Sequence, residues 1–237
     1  GATRLARWAE RHSKTYRAVI RLGRTTDTDD GTGATIAECA LREWPSNVSI
    51  EAALDLLRGT QLQRPPAYSA RRVGGERSHR LARRGARPEP APAEVTVARL
   101  TLVASEASQV TIEAEVSAGT YIRALARDLG ELLGTGAFTE SLRRERIGPW
   151  HVGDAVPLAG LTGRETLLPP LALLAGLPEV ALSADELPAV RLGRDVARAG
   201  PTEGEAALVD EGRLVAVGRA VPTGWHPAVV LPPHGDV

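Results

Sequence analysis

A single cysteine, Cys39, stands among 237 residues, which excludes an internal disulfide and a cysteine-rich metal site. Its apolar setting, ATIAECA over 34–40, predicts a core or strand position rather than a reactive thiol. Methionine is absent; a start at Gly1 after removal of an initiator and a shortened start both agree with that. No apolar run approaches the ~18 residues that a membrane span needs. The first ten residues lack the apolar centre of a secretory leader, so a cytoplasmic protein is expected. There is no P-loop, no HExxH and no GxSxG, and GTG at 31–33 is too short for a dinucleotide fingerprint. The five histidines, His12, His79, His151, His226 and His234, are scattered without ligand spacing. Asp27, Asp29 and Asp30 with Glu38 give only a broken echo of a calcium loop; a turn with Asx-type hydrogen bonds is the better reading. Neither a metal nor a cofactor is expected.

Net charge is zero, so any basic surface must be local. The 43% hydrophobic content suffices for a packed core. Residues 3–12 carry Leu5, Trp8 and Ala9 at helical spacing. Residues 16–22 have strand propensity and end at Gly23; with 34–41 they predict a hairpin around a loop of turn residues. Ser49 is a candidate cap for a helix running to about Arg58. Alternation predicts paired strands over 95–103 and 109–116. A helix is expected over 121–133, stopped by Gly134, and another strand over 138–147. Residues 154–175 predict a short strand and a helix. The rest, 179–237, alternates short strand-like runs with Gly and Pro turns.

Two segments carry chemistry. Residues 61–92 are rich in Arg, Pro and Gly. Between Gln63 and Arg87 lie Arg64, Arg71, Arg72, Arg77, Arg80, Arg83, Arg84 and Arg87 against Glu76 alone, eight positive charges less one negative, or +7. With the rings of Tyr68 and His79 nearby, that suits RNA phosphates and bases; on charge alone a solvated basic face fits equally. The second segment, SAGTYIR at 117–123, turns at Gly119 and opens the helix, with Arg123 and Arg127 on one helical face.

Four blocks together resemble the TruB family of bacterial tRNA pseudouridine synthases. They are KTYRAVIRLGRTTDTDDG at 14–31; QRPPAYSA at 63–70 with VGG at 73–75 and LARRG at 81–85; SAGTYIR with DLG at 128–130; and LRR at 142–144 with IG at 147–148. The tail, with Gly193, RLVAVG at 213–218 and HPAVVL at 226–231, resembles more weakly a small RNA-binding PUA domain. The resemblance implies an α+β fold: a mixed, mainly antiparallel sheet of the pseudouridine synthase type with flanking helices and an RNA-clasping insertion. It implies a partial catalytic domain over 1–176, with the insertion at about 61–92, and a PUA-like β-rich domain over 179–237.

It also implies an activity: cofactor-free isomerisation of uridine to pseudouridine at position 55, in the T loop of tRNA, after the base is flipped from its stack. Tyr16 matches the tyrosine that stacks on the flipped base. Arg123 matches the arginine that pairs with the catalytic aspartate. Tyr121 and Leu142 match other pocket positions. The arginines of 63–87, with Tyr68, match the RNA-clasping insertion. The partner expected is the T stem-loop, and the protein is expected to be a monomer.

The sequence departs from the family at three places. His79 replaces a commoner aromatic, and Ala93 stands where arginine is usual. The catalytic aspartate of the family lies upstream of the KTY block, and no GxLDP-like sequence occurs in this chain. Asp27, Asp29, Asp30 and Asp128 belong to other blocks and are poor substitutes. A chain shortened before or through that segment, inactive by itself, is therefore expected, with Arg123 facing the pocket uncompensated. The competing expectation is a non-catalytic protein that grips the tRNA T arm as a binder or RNA chaperone.

Overall fold

Alternation along residues 14–22 places Ala18, Ile20 and Leu22 on one side of an extended chain and the polar Arg17 and Arg21 on the other. In the computed structural model, which describes residues 2–232 except 42, 107, 166, 199, 200 and 202, that segment is central to a six-stranded sheet. The chain begins with a 3-10 turn, Ala2–Leu5, and a short helix α1 (Ala6–Ala9). There follow β1 (Lys14–Leu22), β2 (Arg24–Thr26), β3 (Thr35–Glu38), α2 (Asn47–Leu56), β4 (Gly59–Gln63), β5 (Arg72–Val73), β6 (Glu76–Arg77), α3 (Ser78–Arg83), β7 (Ala93–Glu106), β8 (Gln109–Val116), α4 (Ile122–Leu132), β9 (Ala137–Ile147) and β10 (Trp150–His151). The sheet order is β10-β9-β1-β8-β7-β4, and every pairing in it is antiparallel.

The amphipathic helices cover one face of this sheet. Ile50, Ala53 and Leu54 of α2 and Ile122, Leu125, Ala126 and Leu129 of α4 pack with Ala18, Ile20, Val110, Ile112 and Ala114 of the strands. The close approach at the end of α4 depends on Gly130: a β-carbon there would lie 2.3 Å from the Ala137 nitrogen.

Several local expectations are corrected. The strand at 14–22 does not pair with 34–41. It pairs with β8 and β9, and the ribbon partner of β3 is β2. A chain with β1's buried face is stabilised more by the central sheet than by a two-stranded ribbon that covers nothing. For the same reason Cys39 is neither core nor strand: it lies just past β3, all of whose residues are exposed, and is itself exposed. The cap of α2 is Ser46, whose side chain accepts from the Ser49 amide; Ser49 is already inside the helix. Among the described residues of 154–175 there are only 3-10 turns: the end of Val152–Asp154, then Leu158–Gly160 and Pro170–Leu174. Pro157, Pro169 and Pro170 there remove backbone donors that a longer helix needs.

The chain divides into two compact units at other places than 176/179. One comprises His12–Ala155; the other comprises Gly1–Arg11 with Val156–Val237. The second unit contains β11 (Glu179–Ala181), α5 (Glu186–Arg191), β12 (Val196–Ala197), β13 (Glu205–Asp210), β14 (Arg213–Val221) and β15 (Gly224–Val230), in a sheet of order β11-β13-β14-β15-β12. The apolar side of the first eleven residues is what joins them to it. Leu5 and Trp8 are buried with Leu174, Val209, Val217 and Leu231, and the Trp8 indole donates to Glu205 at 2.9 Å.

Candidate active site and basic surface

The loop between β2 and β3 is folded by its own side chains. The Asp27 carboxylate accepts from the Ala34 amide at 2.8 Å, and that of Asp30 accepts from the Thr28 hydroxyl and from the amide and hydroxyl of Thr32. These are the Asx-type bonds that the turn composition predicts. Asp29 adopts φ 57°, and the loop is stitched to β9 by Gly31 N–H to Thr139 O and Thr139 N–H to Asp29 O. Asp29 and Asp30 are thereby held where α4 can reach them.

From α4 two arginines, one turn apart, meet these two aspartates. The Arg123 guanidinium donates to Asp30 Oδ2 at 2.9 Å, to Thr28 O at 3.0 Å and to Tyr68 O at 2.9 Å. Arg127 donates to Asp29 at 3.0 Å, to Asp128 at 2.8 Å and to Arg64 O at 2.9 Å. Arg123 is therefore not uncompensated. A half-desolvated guanidinium recruits whatever carboxylate the fold supplies, and the fold supplies Asp30. Both rungs also tie the 64–68 segment to α4 through backbone carbonyls.

The electrostatics of the rungs differ. Burial pulls the pKa of Asp30 upward, but its bonds from Thr32 and Thr28, with the Arg123 charge, outweigh that and hold the carboxyl below its ordinary value. For Asp29 and Asp128 burial wins, and both are raised although Arg127 opposes the shift.

A cavity of about 450 Å³ opens beside the first rung, lined by Arg24, Asp30, Gly31, Thr32, Arg123, Phe138, Thr139, Glu140, Ser141 and Leu142. Arg123 and Leu142 thus meet in one cavity, and Leu142 is 46% exposed. Tyr16 lies outside that lining. It pairs with Arg144 while Ala18 pairs with Leu142, so Tyr16 and Leu142 are diagonal neighbours on one sheet face, about 7–8 Å apart. Tyr121 precedes α4 as its cap residue.

Gln63, which sequence reasoning gave no role, fixes that start. It is 2% exposed; its oxygen accepts from Tyr121 N–H at 2.8 Å and its amide donates to Tyr121 O at 3.1 Å. Gln63→Leu is expected to lower stability by about 1–3 kcal/mol, because the partly buried Tyr121 amide loses its acceptor, while the Tyr121 carbonyl keeps the Ala124 and Leu125 amides. Urea unfolding checks this; an unchanged midpoint would remove the clamp.

The basic segment forms the β5–β6 hairpin and α3. Gly74 at φ 58° and Gly75 at φ 84° make its two-residue turn, a geometry that needs positive φ at both positions. Arg64, Arg71, Arg72, Arg77, Arg80, Arg83, Arg84 and Arg87 are all exposed. Arg84 pairs with Glu76, Arg72 donates to Gly75 O and Arg77 to Ala70 O. Tyr68 is half-buried, and His79 Nδ1 lies 3.1 Å from Ser69 O.

Residues 1–122 match the family described as TruB family pseudouridylate synthase (N terminal domain). The tRNA pseudouridine synthase B of Solibacter usitatus is 36% identical over 97% of this chain and 83% of its own length. That of Synechococcus sp. is 39% identical over 94% of this chain and 78% of its own. Among solved structures, an H/ACA RNP bound to a substrate RNA containing 2′-deoxyuridine aligns with TM-score 0.71 and 20% identity, over 98% of this chain and 70% of the other. The archaeal box H/ACA sRNP Nop10-Cbf5 complex gives TM-score 0.69 and 19% identity over 98% and 71%. These two establish a shared fold, and the α+β architecture of a mainly antiparallel sheet flanked by helices agrees with them. The 36% and 39% identities to the two synthases over nearly the whole chain, with the match of residues 1–122, establish more: the protein belongs to the TruB family of pseudouridylate synthases.

Proposed function

We propose that the protein isomerises uridine to pseudouridine at position 55 of tRNA. The observation that carries this reading is the Arg123–Asp30 pair in the wall of a nucleoside-sized cavity, in the same unit as an exposed surface of eight arginines. The arginines take phosphates of the T stem-loop and hold the register. The target uridine leaves its stack and enters the cavity, with Leu142 as an apolar wall and Tyr16 on the same sheet face for stacking. Arg123, held in orientation by Asp30 and two carbonyls, presents a fixed positive charge to the carboxylate that starts cleavage of the glycosidic bond. The uracil turns, C5 bonds to C1′, and the C5 proton leaves. No cofactor takes part. The second unit is assigned a PUA-like RNA-binding role on the weaker resemblance of residues 179–237. The protein acts as a cytoplasmic monomer.

The test follows from the atom balance. Isomerisation exchanges the C5–H bond for a C5–C1′ bond, so tritium at C5 of uridine is released to water. The assay compares the 237-residue chain with the same chain joined at its N-terminus to the aspartate-bearing segment that the family resemblance calls for. Release by the joined form is expected. Absence of release alongside tight T-arm binding would overturn the synthase reading.

One observation favours the second reading, a T-arm binder without catalysis. Both carboxylates lining the cavity are engaged: Asp30 by Arg123, and Glu140 by Arg21 at 2.9 Å and Gln109 at 2.7 Å. The tritium assay separates the two.

Either reading needs the arginine surface. The pair Arg71→Glu and Arg72→Glu is expected to weaken tRNA binding and to make its salt dependence shallower, by roughly 1–2 in the slope of log K against log salt. Titrations at several salt concentrations check this, and an unchanged slope removes the clasp.

A further inference from the structure

Two guanidiniums line the site cavity, and they are not equivalent. Arg123 has committed its terminal nitrogens to Asp30, Thr28 O and Tyr68 O. Arg24 makes no ion pair and no side-chain hydrogen bond among the described residues, and its Nε is buried without a partner. Its guanidinium carbon lies 4.6 Å from the centre of the Phe138 ring, itself part of the cavity wall. Arg24 also borders a second cavity of about 450 Å³, with Arg21, Leu22, Gly23, Glu38, Cys39, Ala40 and Glu140. Glu140, the acid common to both cavities, is already held by Arg21 and Gln109.

A guanidinium that is half-buried without a counter-charge is costly. The cation–π contact with Phe138 recovers part of that cost and holds the guanidinium at the cavity wall while leaving its donors unspent. A planar, pre-oriented fork is the geometry that binds two phosphate oxygens. A nucleotide whose base occupies the site cavity brings a phosphodiester on either side of its ribose. The neighbouring cavity gives the chain room to continue past Arg24.

We propose that Arg24 is a phosphate-contacting residue, which takes a backbone phosphate flanking the uridine that enters the site cavity. This rests on the pseudouridine synthase reading and adds to it a specific anchor beside the pocket, apart from the arginine surface of 63–87. The anchor holds the flipped nucleotide by its backbone, where the basic surface grips the stem.

The experiment is equilibrium binding of the full chain to a T-arm stem-loop and to two versions of it. Each version carries one neutral methylphosphonate, at the phosphate 5′ or 3′ of the target uridine. The wild-type protein is expected to lose about tenfold in affinity for one version and little for the other, as one charge-assisted contact disappears. Arg24→Gln should bind the unmodified RNA about tenfold more weakly, with a salt slope shallower by about 0.7, and lose nothing further at that methylphosphonate. Arg24→Lys, which keeps the charge without the fork, should recover part of the affinity.

Arg24→Gln that lowers Tm yet responds to both methylphosphonates as the wild type does would make Arg24 a packing residue on Phe138 and overturn the proposal. So would competition by inorganic phosphate that depends on Arg24 while neither methylphosphonate matters, since the fork would then hold a free anion. A wild type that prefers the T arm to an unrelated hairpin but ignores both methylphosphonates overturns only the Arg24 contact. Loss of that preference in the wild type overturns the function reading itself.

Discussion

Arg123→Met is expected to reduce pseudouridine formation by about 10²–10³-fold in a form of the protein that turns over, the range found when one fixed charge-stabilising donor is removed from an active site. Three bonds disappear together: to Asp30, to Thr28 O and to Tyr68 O. The methionine fills the volume of the stem, so the loss is chiefly of charge and orientation. Affinity for the T arm should change by less than turnover, because the exposed arginines of 63–87 carry the phosphate contacts. Asp30→Asn tests the same pair from its other side. Its one amide oxygen can keep the hydrogen bonds from Thr28 and Thr32, but an NH2 group then faces Arg123 in place of an acceptor. Arg123 retains its bonds to Thr28 O and Tyr68 O, so the change should cost less than Arg123→Met. Single-turnover rates with the tritium assay decide between these outcomes. A rate within threefold of wild type in Arg123→Met would remove Arg123 from the reaction.

The largest effect on stability is expected at the second rung. Arg127→Met should destabilise the protein by about 3–5 kcal/mol, the range for breaking a buried ion pair on one side. Arg127 is 13% exposed, Asp29 16% and Asp128 25%, so solvent screens little of the interaction. Both carboxylates would stay desolvated, and the Arg64 carbonyl would lose its donor.

This deficit depends on pH. Asp29 and Asp128 already titrate above their ordinary value of 3.8 because of burial. A raised carboxyl binds its proton more tightly in the folded state, so its charge opposes folding. Stability falls as pH rises from the unfolded value through the folded one. Removing Arg127 removes the force that holds both values down, and the window widens upward. The deficit of Arg127→Met should therefore be full at neutral pH and shrink on acidification, as Asp29 and Asp128 become protonated.

Asp30 has the opposite sign. Its folded value is lowered, so its contribution is present above 3.8 and is lost as pH falls through the folded value. Asp29→Asn, which removes a costly charge, should destabilise less than Arg127→Met. Urea unfolding from about pH 2.5 to 7.5 spans both windows, and a deficit independent of pH would contradict the account of the second rung.

The sequence by itself determined the local elements and the chemical classes. The turn at Gly119 and the stop at Gly134 mark α4 to within a residue at each end. Alternation and glycine punctuation mark β8 and most of β1, β7 and β9, because these signals come from the chain's own period and need no partner. The arginine excess of 63–87 was legible as exposed charge because eight guanidiniums cannot be buried without acids to meet them. The blocks that placed the chain in its family were legible for the same reason, as short strings complete in themselves.

Only the tertiary structure decided what those strings meet. β1 chose β8 and β9, about a hundred residues away, over the adjacent ribbon, since its buried face needed a sheet with helices above it. Trp8 joined the strands beyond residue 200. Asp30 became the partner of Arg123 across 93 residues, and Gln63 the clamp of Tyr121 across 58. Such pairs leave no periodic trace: one polar residue at each end carries the interaction, and its cost or benefit appears only when folding removes both from water. Arg24 illustrates the same limit from the other side, for an arginine without a carboxylate partner among the described residues is recognisable only after the fold has shown which carboxylates are already taken.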